Sequence, residues 1–264
     1  MRTSDKEKSS MILAIDIGNT NVEIGCIDEK GISFNENVCT DLRKTELEYA
    51  ITIKSICDIY GILPENIEGT IISSVVPPLT NIMGEAVHKI TGKNPMIVGP
   101  GIKTGLNILL DNPRDMGADL VADAVAGINE YGFPLIIIDL GTAIAMGVID
   151  KKGNYVGGSV MAGIGASLDS LVNGTAQLPN IGLEAPERTI GKNTVDCMKS
   201  GIMYGHAAMI DGMLVRIEKE LGYPAKVVAT GGMAKTIIPI CSHDIIIDEE
   251  LLIKGLYKIY NKNI

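Results

Sequence analysis

The 264-residue sequence is poor in the residues that build metal, disulfide and nucleic-acid sites. Only three histidines occur, His88, His206 and His243. None lies four residues from another, which excludes a helix-borne histidine pair for a metal. The five cysteines, Cys26, Cys39, Cys57, Cys197 and Cys241, are scattered and never spaced C-x-x-C. Neither a disulfide framework nor a zinc ribbon is expected, and the thiols are read as reduced. Basic residues are in deficit: 23 Lys and Arg against 32 Asp and Glu give a net charge of −9. That sign does not suit a phosphodiester backbone, so no nucleic-acid partner is expected. A single nucleotide remains admissible, because backbone dipoles and a divalent cation, not net charge, hold its phosphates. No apolar run approaches the ~20 residues of a membrane helix. The polar opening MRTSDKEKSS lacks the apolar centre of a signal peptide. The expectation is a cytoplasmic protein without a membrane partner, with residues 1–10 a disordered extension ahead of Met11. No G-x-x-x-x-G-K-[ST] occurs, which excludes a P-loop.

What is present is a core and a repeat. At 46% hydrophobic the chain can fill one large or two modest domains. From Leu13 it reads L-A-I-D-I-G-N-T-N-V-E-I-G-C-I-D-E-K-G, and from Ile136 I-I-I-D-L-G-T-A-I-A-M-G-V-I-D-K-K-G. Aligning Asp16 with Asp139, with one gap, also matches Gly25 to Gly147, Ile27 to Ile149, Asp28 to Asp150 and Gly31 to Gly153. Each copy is an apolar strand, an Asp-x-Gly turn, a second apolar strand and a D-x-K-G turn, a β-hairpin in duplicate. Helical spacing is read over 47–60, 79–91, 116–131, 194–221 and from 249. Strands are read over 70–76, 96–98 and 226–230, with apolar segments at 237–241 and 245–247. The halves meet near residue 131, giving an α/β chain of two domains, 11–131 and 132–264. G-I-G-A-S at 163–167 follows no clear strand and reads as a structural turn rather than a dinucleotide loop. Met203, Met209 and Met213, at helical spacing, read as core filler.

Two Asp-Gly turns facing one another across a cleft suit phosphoryl transfer. Such turns offer backbone N–H groups to phosphate oxygens, and Asn19, Thr20, Asn21 and Thr142 add donors without charge. Asp16 and Asp139 each end a first strand. Carboxylates beside a polyphosphate repel it unless a cation intervenes, so Mg²⁺ held by Asp16 and ATP is implied.

The ordered motifs carry a resemblance. D-I-G-N-T-N at 16–21, P-G-I-K-T-G at 100–105, D-N-P-R-D-M-G-A-D at 111–119, D-L-G-T-A at 139–143 and T-A-Q-L-P at 175–179 follow one another. N-T at 193–194, S-G-I-M-Y-G at 200–205, D-G at 211–212 and A-T-G-G at 229–232 complete the series. Together they resemble the type III pantothenate kinases over nearly the whole chain from Met11. The resemblance implies duplicated actin-like (ribonuclease H-like) ATPase domains with a nucleotide cleft between them, pantothenate and ATP as substrates, and a homodimer. It implies ATP contacts from Asp16, Ile17, Gly18, Asn19, Thr20, Asn21, Val22, Glu23 and Thr142, with Gly231 and Gly232 near the adenosine. Asp139 would bind a monovalent cation, K⁺ or NH₄⁺. Asp119 would be the general base that takes the proton of the primary hydroxyl, a role suited to the first turn of a helix, where the dipole favours a carboxylate. Leu110, Gly117, Ala118, Asp119, Leu120 and Thr194 occupy the pantothenate-binding positions, Thr194 across the dimer interface.

Four positions depart from the family pattern. G-A-D-R becomes Gly117-Ala118-Asp119-Leu120, a Tyr becomes Leu110, an Asn becomes Asp123, and the Pro before Gly163 becomes Ala162. The phosphate-site residues are intact and the acceptor-site residues altered. Loss of the Arg removes a charge-assisted hydrogen bond worth ~1.5–3 kcal/mol, which Arg114 or Lys103 could supply in its place. The alternatives are a kinase of another small hydroxy compound, and a nucleotide-binding regulator or inactive paralogue.

Overall fold

Each half of the chain opens on a run of Ile, Leu and Val cut by a turn, and the computed structural model shows two sheets built on those runs. It describes residues 11–264; the extension expected at 1–10 lies outside the described residues. The strands are β1 (Met11–Ile17), β2 (Asn21–Asp28), β3 (Gly31–Cys39), β4 (Ile67–Ser74), β5 (Met96–Ile97), β6 (Asn107–Ile108), β7 (Leu135–Leu140), β8 (Ala143–Ile149), β9 (Asn154–Ala162), β10 (Lys226–Thr230) and β11 (Ile246–Ile247). The helices are α1 (Glu46–Ile59), α2 (Pro77–Thr91), α3 (Ala118–Tyr131), α4 (Ile164–Asn173), α5 (Thr194–Leu221), α6 (Ala234–Ile237) and α7 (Leu251–Asn261).

Two compact units result. Of the described residues, the first takes 11–105, Arg114–Ala126 and Glu250–Ile264; the second takes Leu106–Pro113 and Gly127–Glu249. The units therefore interleave along the chain, whereas the two copies of the repeat are consecutive.

The duplication extends well beyond the hairpins. The first sheet runs β3-β2-β1-β4-β5 and the second β11-β10-β7-β8-β9-β6. Read from its other side, the second repeats the first and adds β6 beyond β9. In both, three consecutive strands are antiparallel and the next strand in chain order joins parallel to the first of them. The register slips at matching places, between Cys26 and Ile27 and between Val148 and Ile149. The D-x-K-G turns close alike, with Asp28 accepting from the Lys30 N–H and Asp150 from the Lys152 N–H, both at 2.8 Å.

In the first unit Leu13, Ile15 and Ile17 bury fully against Tyr49 and Ile53 of α1 and Leu79 and Met83 of α2. Each such side chain contributes about 1.5–3 kcal/mol on leaving water. α1 is started by a capping box, Thr45 accepting from the Glu48 N–H, and α2 starts on Pro77-Pro78, where proline costs no hydrogen bond. In the second unit Ile136, Ile138 and Leu140 join Ile202, Met203, Ile210 and Leu214 of α5. Met203 is buried, and Met209 and Met213 pack beside it, as filler.

One reading is overturned here. G-I-G-A-S does follow a strand, β9, and it opens a helix, α4, with Gly163 as N-cap. The strand is hidden because Gly157-Gly158 interrupts its apolar alternation, and the helix is hidden because glycine occupies its N-cap and its second position. Segment 237–241 is helical, made of the end of α6 and one 3₁₀ turn.

Candidate active site

In the first unit the site grows from the end of β1. Cross-strand pairing sets Glu23 of β2, Asp16 of β1 and Ser73 of β4 in one row on one face. Asp16 is buried, and the Ser73 hydroxyl donates to its Oδ1 at 2.6 Å. Glu23 accepts from the Asn35 side-chain amide at 2.8 Å, and burial pushes its carboxyl above the usual range. Two carboxylates opposite one another across a strand pair repel. Such a pair suits a divalent cation that takes its remaining ligands from phosphates. Among the described residues there is no group of three or more His, Cys, Asp or Glu that would hold a metal unaided.

The turn after Asp16 is pinned. The Gly18 N–H donates to the Asn21 carbonyl at 3.0 Å, and Thr40 bonds twice, hydroxyl to the Gly18 carbonyl at 2.7 Å and N–H to the Thr20 carbonyl at 2.9 Å. Asn19, Thr20 and Asn21 are exposed there, whereas Ile17 and Val22 face the core and offer only backbone.

Asp119 is the second residue of α3. Its Oδ1 accepts the Leu120 N–H at 2.7 Å, and burial lifts its carboxyl above the ordinary value. A side chain at Gly117 would strike that Oδ1 and come within 3.6 Å of Val75 Cγ1. Val75 follows β4, and its N–H bonds the Ile17 carbonyl at 3.1 Å. The Asp119 carboxylate thus stands near the end of the sheet where Asp16 lies, and the glycine of Gly117-Ala118-Asp119 makes the room for it. Leu120 is half-buried.

In the second unit Asp139 ends β7 with Ala145 on one side and Thr230 on the other. Its turn is closed by the Gly141 N–H to the Ala143 carbonyl at 3.0 Å, and the Gly163 N–H donates to the Thr142 carbonyl at 3.2 Å. Gly231, at φ 88°, lies against this turn. A Cβ there would be 2.6 Å from Asp139 Oδ1 and 2.8 Å from the Leu140 backbone, so only glycine fits on both counts. Asp139, Thr142, Gly231 and Gly232 are thereby brought together. Thr194 stands apart at the start of α5, on a groove of about 430 Å³, and Leu110 is half-buried after β6.

Sequence reasoning missed Ser73, the hydroxyl partner of Asp16. Its signal is the second half of the repeat: T-I-I-S-S at 70–74 answers K-V-V-A-T at 226–230, each an apolar strand that ends on a hydroxyl beside the first-strand Asp. Among the described residues no helix is long and apolar enough to cross a membrane.

The sheet order, found twice, with an Asp and a pinned turn at the end of each first strand, defines the actin-like class of ATPases and sugar kinases. Solved structures agree at the level of fold. Component A of the (R)-2-hydroxyglutaryl-CoA dehydratase of Acidaminococcus fermentans is similar with a TM-score of 0.56 and 13% identity, over 96% of this chain and 97% of that one. A Campylobacter jejuni structure, provisionally described as a conserved Baf family transcriptional activator, gives a TM-score of 0.58 and 19% identity over 95% and 98%. Within the class the assignment is closer. The family model for type III pantothenate kinase matches residues 12–216. The type III pantothenate kinase of Halalkalibacterium halodurans is 42% identical over 254 residues, 96% of this chain and 100% of the relative. The chain belongs to the type III pantothenate kinase family.

Proposed function

We propose that this chain transfers the γ-phosphoryl group of ATP to the primary hydroxyl of pantothenate, the first step of coenzyme A biosynthesis. The observation that carries the reading is the partly buried Asp119 carboxylate at the first turn of α3, in a chain of this family. Its carboxylate takes the hydroxyl proton as the oxygen attacks the γ-phosphorus and the bond to ADP breaks. A nucleotide-binding regulator would have no need of that carboxylate. An ATP-consumption screen over pantothenate and related hydroxy acids tests the reading: ADP release with pantothenate supports it, and ADP release only with another alcohol refutes it.

The phosphate contacts fall to the Asp16–Glu23 turn and to Thr142, with Gly231 and Gly232 on the adenosine side. Mg²⁺, held by Asp16 and the nucleotide, would supply charge neutralisation at the phosphates. The row formed by Asp16 and Glu23 fits that ion. Asp139 is assigned K⁺ or NH₄⁺. ATP turnover is accordingly expected to require Mg²⁺ and to rise when K⁺ replaces Na⁺; equal rates in the two buffers would remove the role given to Asp139.

A homodimer is part of the reading. Along α5, Thr194, Cys197, Gly201, Gly205, Ala208 and Val215 form an exposed face of small and apolar side chains, suited to close approach of a second copy. Light scattering is expected to give twice the 28.1 kDa chain mass. A fully active monomer at micromolar concentration would exclude the dimer.

A further inference from the structure

The two Asp-Gly turns are copies, yet they are closed from behind in different ways. Each hairpin is followed by a third strand, and the residue after that strand donates its N–H back to the turn. Thr40 donates to the Thr20 carbonyl at 2.9 Å, and Gly163 to the Thr142 carbonyl at 3.2 Å. In the second copy nothing more than backbone fits. A Cβ at Gly163 would lie 2.2 Å from the Thr142 carbonyl oxygen and 2.7 Å from that of Gly141. The first turn is one residue longer. Its Gly18 N–H reaches the Asn21 carbonyl, three residues on, where the Gly141 N–H reaches that of Ala143, two on. The longer turn has room for a side chain at Thr40, and the Thr40 hydroxyl fills it by donating to the Gly18 carbonyl at 2.7 Å.

Two peptide groups of the turn are fixed by these bonds. Both are trans, and a trans peptide is planar, with C=O and N–H pointing in opposite directions. The Gly18 carbonyl points at Thr40, so the Asn19 N–H of the same peptide points away from it. The Thr20 carbonyl also points at Thr40, so the Asn21 N–H points away as well. One residue thus aims two N–H donors of the turn away from itself. Backbone N–H groups gathered in a turn make an anion-binding concavity.

Thr40 is itself held. The next residue, Asp41, donates its N–H to the Tyr49 hydroxyl at 3.0 Å, and its carbonyl accepts from that hydroxyl at 3.1 Å. Tyr49 belongs to α1 and is fully buried. The clamp on the turn therefore stands on the core of the first unit. Donors held in place beforehand spare the cost of ordering them when a ligand binds.

We infer that Thr40 is a positioning residue for ATP: its hydroxyl and N–H hold the two peptides with the Asn19 and Asn21 N–H groups facing the phosphates. The inference rests on the reading that this turn takes the phosphates of ATP, and it does not depend on which alcohol is the acceptor.

Thr40→Ala removes the hydroxyl and keeps the N–H. It is expected to raise the Kd for a non-hydrolysable ATP analogue, and the KM for ATP with it, by roughly threefold to tenfold, the size of one neutral hydrogen bond. The KM for pantothenate should not change, and Thr40→Ser, which keeps the hydroxyl, should bind the analogue as wild type does. A folded Thr40→Ala with the wild-type Kd overturns the assignment, as does one in which the KM for pantothenate rises equally. A second measurement uses wild type alone: the Asn19 and Asn21 amide proton resonances should move downfield when the analogue is added with Mg²⁺. Amides that stay in place overturn the assignment too, and this result decides alone if Thr40→Ala does not fold. Wild type that binds no analogue at all removes the ATP reading of the turn itself, a result distinct from the others.

Discussion

Asp119→Asn is expected to lower kcat about 10²–10⁴-fold while ATP still binds. The substitution keeps the size of the side chain and its capacity to accept the Leu120 N–H at Oδ1, so the first turn of α3 is preserved. What it removes is proton acceptance. The wild-type pH profile belongs to the same prediction. Burial holds the Asp119 carboxyl above the ordinary carboxylate value, and a base acts only when deprotonated. Activity should therefore fall, as pH is lowered, at a higher pH than for an exposed aspartate, and this acid limb should vanish in Asp119→Asn. A variant within a few-fold of wild type would make Asp119 a helix N-terminal acid and place the base elsewhere.

The second large effect concerns the acceptor's charge. Pantothenate carries a carboxylate, and the residue after the base is Leu120, half-buried, where the family pattern has Arg. Asp123, one helical turn beyond Asp119, is buried and acidic. A pocket that loses a cation and gains an acid holds an anion less well. Wild type should show a high KM for pantothenate, and Leu120→Arg should lower it tenfold to a hundredfold, ~1–3 kcal/mol, by restoring a charge-assisted hydrogen bond. The KM for ATP should barely move, because Leu120 belongs to neither Asp-Gly turn. Tight pantothenate binding in wild type that Leu120→Arg weakens would mean that another cation, Lys103 or Arg114, already serves.

The fold was legible because the repeat was. Two apolar strands cut by Asp-x-Gly turns fix the hairpins β1-β2 and β7-β8, and the helical spacing of 194–221 matches α5 residue for residue. What stayed hidden is what tertiary contact decides. β9 carries Gly157-Gly158 because the Met146 carbonyl lies where a Gly158 side chain would be, and no periodicity signals that. α4 is entered through Gly163 because that residue passes close against the Thr142 carbonyl. Of the proposed acidic residues, Asp16 could be picked out by its place in the repeat, and Asp119 through the family motif that carries it. The hydroxyl that bonds Asp16, that of Ser73, could not, since it depends on a partner 57 residues away.

The most direct measurement is the identity of the product. Purified full-length protein with ATP, Mg²⁺, K⁺ and pantothenate should yield ADP and pantothenate phosphorylated at its primary hydroxyl in equal amounts, read by mass spectrometry and ³¹P NMR. ADP formed without phosphorylated pantothenate, or at the same rate when pantothenate is left out, would contradict the account.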